Sequence, residues 1–278
     1  MTNHGNMYGP DFTFLGIERC DLDKPETYKG ADVVIVGAPI DSGTSHRSGA
    51  KFGPQAIRMG DYLPHDGERP HLALRTDGLK DLKVLDAGDL IMNGGDLIGS
   101  LAKLAEATEK ISKAGAIAVV LGGDHSIASA DVAGIANHRG KGKISMVHFD
   151  AHADTGGDQW GALEGHGTPM RRLIENGHVR GDRFLQLGLR GYWPDDATLN
   201  WMRDQGMRSY EMTEIHHRGL KTVLDESFAT LTDGCDGVFL SVDIDVVDPG
   251  MAPGTGTPEP GGMTSRELLE AVRRICLE

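Results

Sequence analysis

Short, largely apolar runs recur along this chain, separated by stretches with helical spacing, and this alternation constrains the fold more than any other feature. Residues 31–36 (ADVVIV) and 116–121 (AIAVVL) are continuously apolar, the pattern of strands buried on both faces. Residues 83–87 (KVLDA), 144–149 (ISMVHF), 184–189 (FLQLGL), 208–211 and 237–244 (GVFLSVDI) complete the strand set. Between them lie helical patterns over 54–61, 96–114, 126–138, 168–176, 195–205 and 220–231, with a last one over 264–276. In 96–114 the apolar residues fall at 97, 98, 101, 104, 105 and 111, a helical period. Pro54 and Pro169 suit a first helical turn, and Thr264 with Glu267 forms a capping-box pattern. Strands alternating with helices predict an α/β fold, a parallel sheet with helices on both faces.

The chain of 278 residues is long enough for a substantial core. No linker composition or repeat divides it, so a single α/β domain over 31–278 is expected, preceded by a polar arm over 1–30. The 41 acidic residues outnumber the 28 basic ones, a net charge of −13 that disfavours nucleic acid and anionic membrane as partners. It suits metals or a cationic substrate. Cys20, Cys235 and Cys276 are far apart and form no CxxC, so neither a zinc ribbon nor a disulfide framework is indicated. The N-terminus lacks a signal-peptide pattern, and no apolar run approaches ~18 residues. A reduced, cytoplasmic setting is the default.

The chemistry is concentrated where the apolar runs end. One run leads into Asp124-His125, the next into Asp150, His152 and Asp154, and a later one into Asp243 and Asp245. In an extended backbone, residues two apart point to the same side, so each group is expected to project together. Carboxylate oxygen and imidazole nitrogen suit a divalent metal of intermediate softness. Open α/β sheets bind ligands at the carboxyl ends of their strands. One such end reads equally well as a solvated polar loop; several together do not. So many carboxylates would repel and raise one another's pKa unless cations balanced them. Two divalent ions would do so, and such a pair can hold and deprotonate a water. Asp124 is left over from this ligand set.

Two further stretches add candidates. His166 sits in Gly165-His166-Gly167-Thr168-Pro169, where a histidine between glycines can approach a substrate and shuttle protons, or simply face solvent in a turn. Glu259 stands between two prolines, which suits a carboxylate held in one direction for a cationic substrate, although an exposed turn has the same pattern. The Gly/Ser-rich segment 43–47 reads as a structural loop. His65, His71, His138, His178, His216 and His217 read as surface residues.

With these stretches assembled, the chain resembles the ureohydrolase family of arginases and agmatinases. The matching segments are GAPIDSGTSHRSGAKFGPQAIR (37–58), GGDHS (122–126), DAHAD (150–154), HGTP (166–169), SVDIDVVDP (241–249) and PGTGTPEPGG (253–262). The resemblance implies a three-layer α/β/α fold around a mostly parallel sheet, with two Mn²⁺ ions, or Ni²⁺ as in some relatives. It implies that His125, Asp150, Asp154 and Asp243 bind one ion and Asp150, His152, Asp243 and Asp245 the other, Asp150 and Asp243 bridging. Asp154 would also hold the nucleophilic hydroxide, His166 would carry protons, and Glu259 would grip the guanidinium. Hydrolysis of a guanidino C–N bond to urea and an amine follows, with agmatine to putrescine as the first expectation. Family members are commonly trimers or hexamers, so a homo-oligomer is implied.

Two departures from the family pattern bear on this. Relatives continue with a further strand and helix where this chain stops inside a helical pattern, so the resemblance implies a chain shortened at its C-terminus. The loop Thr155-Gly156-Gly157-Asp158-Gln159-Trp160 lacks the Asn and Ser residues with which arginases hold the substrate's α-amino and carboxylate groups, which argues against arginine. Agmatinases often carry Tyr where Gly156 stands. Guanidinobutyrate, guanidinopropionate, guanidine and metformin-type compounds are the alternative substrates. A non-catalytic family member in a mixed oligomer is a different class of reading, as is a deacetylase-like hydrolase with one zinc.

Overall fold

The computed structural model describes residues 12–60 and 70–278. The start of the N-terminal arm and the segment 61–69, with His65 and the last residue of the helix expected over 54–61, lie outside the described residues. The chain forms two compact units, one of residues 1–43 and 48–138 and one of 44–47 and 139–278.

The first unit is built on a parallel sheet in which β1 (Val33–Ala38) lies between β2 (Val84–Asp89) and β3 (Ile117–Gly122). Its helices are α1 (Gly53–Arg58), α2 (Gly78–Asp81), α3 (Leu97–Lys113) and α4 (Ile127–Arg139). The apolar stripe expected on α3 buries Leu101, Leu104 and Ile111, and Asp96 caps the helix by accepting from the Gly99 amide at 2.8 Å. The expectation that 116–121 is buried on both faces is corrected. Ile117 and Val119, two residues apart and so on one face of β3, are 66 % and 39 % exposed.

Helices α3 and α4 meet closely. A side chain at Gly134 would come within 2.2 Å of the Ala105 carbonyl, so only glycine fits there. Beside this crossing, Thr108 Oγ1 donates to the Asp131 carbonyl at 3.0 Å. The Asp131 side chain is buried, and its Oδ1 has no hydrogen-bond partner among the described residues. Burial pushes this carboxyl from 3.8 up to about 8. Between these values the folded chain keeps a proton that the unfolded chain gives up, so this residue costs more stability as pH rises through the window. Asp131→Asn is therefore expected to raise the melting temperature at pH 8 by roughly 5 °C or more, with the gain shrinking toward pH 4. Thermal melts across that range check this; a gain independent of pH would contradict it.

The second unit carries a four-stranded parallel sheet in the order β6 (Arg208–Glu211), β5 (Val179–Leu189), β4 (Ile144–Phe149), β7 (Gly237–Val242). Its helices are α5 (Pro169–Glu175), α6 (Asp196–Asp204), α7 (Met212–Arg218), α8 (Leu220–Thr232) and α9 (Ser265–Leu277). The expected capping box of α9 is present: Thr264 Oγ1 accepts from the Glu267 amide at 3.2 Å, and the Glu267 carboxylate accepts from the Thr264 amide at 2.7 Å. Every residue of β4 is buried, as befits a strand paired on both edges. Val147, Phe149, Leu187, Val223 and Leu231 form the centre of its core. β5 starts five residues before the apolar run, through the polar segment Val179-Arg180-Gly181-Asp182-Arg183. Helix α7 was not evident in the sequence because it buries a single residue, Ile215, and so shows no period. No helix among the described residues is long and apolar enough to cross a membrane.

Candidate metal centre

The ends of β4 and β7 position most of the candidate ligands. The Asp150 amide donates to the Leu187 carbonyl at 3.1 Å, and the Asp243 amide to the Phe149 carbonyl at 2.8 Å, so both acids stand where the sheet opens into loops. The pleat is not what makes their neighbours converge, which corrects the expectation drawn from alternate spacing. β4 stops at Phe149, the chain bends at Ala151 and His152, and Asp154 has φ +52°. Tight side-chain turns shape these loops. The His152 amide donates to Asp150 Oδ1 at 2.6 Å, and the Asp245 amide to Asp243 Oδ1 at 3.0 Å at the head of a 3₁₀ turn, Ile244–Val246.

Asp150, His152 and Asp245 each bring one ligand atom to within 4.8 Å of the others. His152 Nδ1 lies 3.1 Å from Asp245 Oδ2 and 3.5 Å from Asp150 Oδ1. Asp150 and Asp154 also meet within 4.8 Å, in company with His148. Asp245 is held further by the Ala151 amide, which donates to its Oδ1 at 3.0 Å. Burial raises the Asp245 carboxyl, and the charges of Asp150 and Asp243 add to this, so that despite His152 it is pushed up to about 8. Burial pulls His152 down, but its hydrogen bonds to Asp150 and Asp245 outweigh that and push it up to about 11. A site that gathers protons in this way is one that divalent cations would neutralise, and its oxygen and imidazole donors suit such ions.

His125 belongs to the first unit, three residues beyond the end of β3. Its neighbour Asp124 braces that turn: it accepts from the Gly43 amide at 2.8 Å and the Ser126 amide at 2.9 Å, which accounts for the acid left over from the ligand set.

His166 is half-buried, and its Nε2 is reached by both the Ser45 amide at 3.0 Å and the Ser45 hydroxyl at 2.6 Å. Segment 43–47, read from the sequence as structural, thus touches a candidate catalytic group. The Gly156 amide donates to the Gly167 carbonyl at 2.9 Å and the Gly167 amide to Gln159 Oε1 at 3.2 Å, so loop 155–160 is fastened to the His166 segment. Glu259 is also half-buried. Gly191, at φ +83°, gives its carboxylate room, since a side chain there would lie 2.8–3.0 Å from the Glu259 carboxyl atoms.

Three residues of this neighbourhood were missed in the sequence. Arg190 donates to the Asp245 carbonyl at 2.6 Å, the Glu259 carbonyl at 2.7 Å and the Pro260 carbonyl at 3.1 Å, clamping the two acid-bearing loops to each other. His148 and Gln186 are fully buried beside Asp150. An arginine following a strand carries no distinguishing pattern, and His148 lies inside a run that otherwise reads as a plain buried strand.

Buried acids and imidazoles gathered at the carboxyl ends of parallel strands define a metal-dependent α/β enzyme. The chain belongs to the arginase family, whose sequence pattern matches residues 31–277. It is 39 % identical to proclavaminate amidinohydrolase of Streptomyces clavuligerus over 89 % of this chain and 77 % of that one. It is 36 % identical to guanidinobutyrase of Pseudomonas aeruginosa, over 91 % and 77 % of the two chains. It is 37 % identical to the mitochondrial agmatinase of Gallus gallus, over 88 % and 70 %. The solved structure of proclavaminate amidinohydrolase from S. clavuligerus superposes with a TM-score of 0.82 at 34 % identity, covering 97 % of this chain and 85 % of that one. A Trypanosoma cruzi formiminoglutamase variant whose structure contains Mn²⁺ superposes with a TM-score of 0.78 at 26 % identity, over 90 % and 82 %.

Proposed function

We propose that this protein hydrolyses the guanidino C–N bond of a small linear compound, releasing urea and an amine, with agmatine as the substrate and putrescine as the amine. The observation that carries this reading is the convergence of Asp150, His152 and Asp245 in a chain of the arginase family. In this reading His125, Asp150, His152, Asp154, Asp243 and Asp245 hold a pair of Mn²⁺ ions, with Ni²⁺ as the alternative. Manganese is supported by the Mn²⁺ of the T. cruzi relative. When bound, the ions neutralise the acids and supply a water acidic enough to attack near neutral pH.

The protein's own groups do the rest. Glu259, held by its loop and given room by Gly191, accepts hydrogen bonds from the planar guanidinium and turns its carbon toward the acids. Asp154 orients the attacking water. His166 takes up or returns a proton at Nε2, through the Ser45 hydroxyl that already contacts this atom. That proton is delivered to the leaving amine, which departs neutral as urea forms. Loop 155–160, fastened to the His166 segment, sets the tail of the substrate that fits.

The same reading treats residues 31–278 as one ureohydrolase-like domain behind an arm over 1–30, supported by a family match that runs unbroken over 31–277. It includes assembly as a homo-oligomer, on the family resemblance, and a cytoplasmic location, consistent with three cysteines outside any disulfide.

Urea release from a panel of guanidino compounds, with Mn²⁺ or Ni²⁺ supplied, tests the proposal. Agmatine is expected to be turned over fastest. Preference for guanidinobutyrate or guanidinopropionate would move the substrate to a compound with an anionic tail. No urea from any compound would overturn the reading.

A further inference from the structure

A hydrogen-bonded polar row crosses the sheet of the second unit, in register over three strands. Ser209 on β6 stands opposite Gln186 on β5, and Gln186 opposite His148 on β4. Gln186 and His148 are fully buried, and the residues flanking them along their strands, Val147, Phe149, Leu185 and Leu187, are buried apolar side chains. Burying such groups is costly unless their hydrogen bonds are all made, so a row of this kind marks a requirement other than packing.

The bonding of the row has one consistent direction. Gln186 Nε2 donates to the Ala153 carbonyl at 2.7 Å, and Ser209 Oγ donates to Gln186 Oε1 at 2.9 Å, which orients the amide. The second hydrogen on Gln186 Nε2 then faces His148 Nδ1 at 3.0 Å, making that nitrogen an acceptor. The imidazole proton therefore sits on Nε2, which donates to Asp150 Oδ2 at 2.8 Å. On its other side Asp150 accepts from the His152 amide at Oδ1. The two donors grip opposite oxygens and fix the plane of the carboxylate.

We propose that His148, with its tautomer set by Gln186 and Ser209, is a positioning residue that holds Asp150 in the orientation required to bind cations. This rests on the reading of Asp150 as a metal ligand. Groups that orient ligands from behind change metal affinity by about 10–100-fold when removed. His148 is thereby given a role distinct from the ligands, even though its ring lies close enough to Asp150 and Asp154 to be counted among possible donors.

The test compares Mn²⁺ binding by the parent protein, His148→Gln, and the double variant His148→Leu with Gln186→Leu, counting free ion by electron paramagnetic resonance. The double variant removes both partners of the His148–Gln186 bond but also leaves the Ala153 carbonyl and the Ser209 hydroxyl without Gln186. Its metal-free melt, followed by circular dichroism, reads that separately. The double variant is expected to bind Mn²⁺ about 10–100-fold more weakly while keeping a cooperative melt. His148→Gln, whose amide can still donate toward Asp150, is expected to recover at least half of that loss on a logarithmic scale. Affinity within twofold of the parent in the double variant would overturn the proposal, as would no recovery in His148→Gln. Nitrogen couplings to Mn²⁺ that vanish with the His148 ring would overturn it too, by making His148 a ligand. A parent protein that binds no Mn²⁺ would instead remove the reading of the site on which the proposal rests.

Discussion

Asp245→Asn is expected to lower urea release by more than about a hundred-fold, beyond the range for groups that only support ligands, while leaving the fold intact. Asn keeps the shape of the side chain and can still accept from the Ala151 amide at the atom that does so in the parent. What it removes is a negative charge placed within reach of His152 and repelled by Asp150 and Asp243. Without cations that charge destabilises the folded chain, since burial and its neighbours push the carboxyl up to about 8. The sign follows from linkage: a raised acid costs stability as pH climbs from its ordinary value toward the raised one. The metal-free variant should accordingly melt no lower than the metal-free parent at pH 7, whereas added Mn²⁺ should raise the melting temperature of the parent far more than that of the variant. Melts with and without Mn²⁺, paired with a urea assay, read all three expectations. Full activity in Asp245→Asn would remove this residue from the ligand set. Such a division between stability and activity is what an acid cluster retained for function should show.

Arg58→Met is expected to have the largest effect on stability, a loss of about 3–5 kcal/mol and a melting temperature lower by roughly 10 °C or more. Arg58, near the end of α1, is buried and donates from Nε and Nη2 to the two oxygens of Asp86, each at 2.9 Å. It also bonds Asp89 through Nη1. Asp86 is fully buried on β2, where it further accepts from the Phe14 and Gly88 amides, both at 2.7 Å. Methionine fills the space of the arginine stem but leaves two buried acids without their cation. Adding Asp86→Asn should restore part of the loss, because one of the stranded charges is then gone. Denaturant melts of the single and double variants check this; a loss under about 1 kcal/mol would place the ion network among weak surface pairs. The network also bears on the site. The turn Ala50–Phe52 that leads into α1 accepts from the Gly123 amide through the Ala50 carbonyl at 3.2 Å, two residues before His125.

Why some of this was legible in the sequence and some was not follows from the range of the interactions. Continuous apolar runs and a helical period report burial within one segment, so the strands and α3, α8 and α9 could be read from their own residues. Helix α7, with one buried residue, carries no such record. The exposure of Ile117 and Val119 depends on what packs over their face of β3, which its own sequence does not contain. The acids and histidines of the site were legible because their residue types and order are unusual, but the way they converge was not. Asp154 is in the left-handed region and His152 follows a bend, so turns closed by side chains, not the alternation of a strand, bring them together. His148 stayed hidden for a different reason. Its partners Gln186 and Ser209 lie 38 and 23 residues further along, one link at a time, and only strand register joins them. Arg190 likewise acts on main-chain carbonyls about 55 to 70 positions away.

Titrating metal-stripped protein with Mn²⁺ while following urea release from agmatine tests most directly whether paired cations at the ends of β4 and β7 drive hydrolysis of a guanidino compound. Activity is predicted to rise from near zero and saturate at two ions per chain. Urea release that needs no metal, that saturates at one ion, or that fails to appear at any loading with any guanidino compound would contradict it.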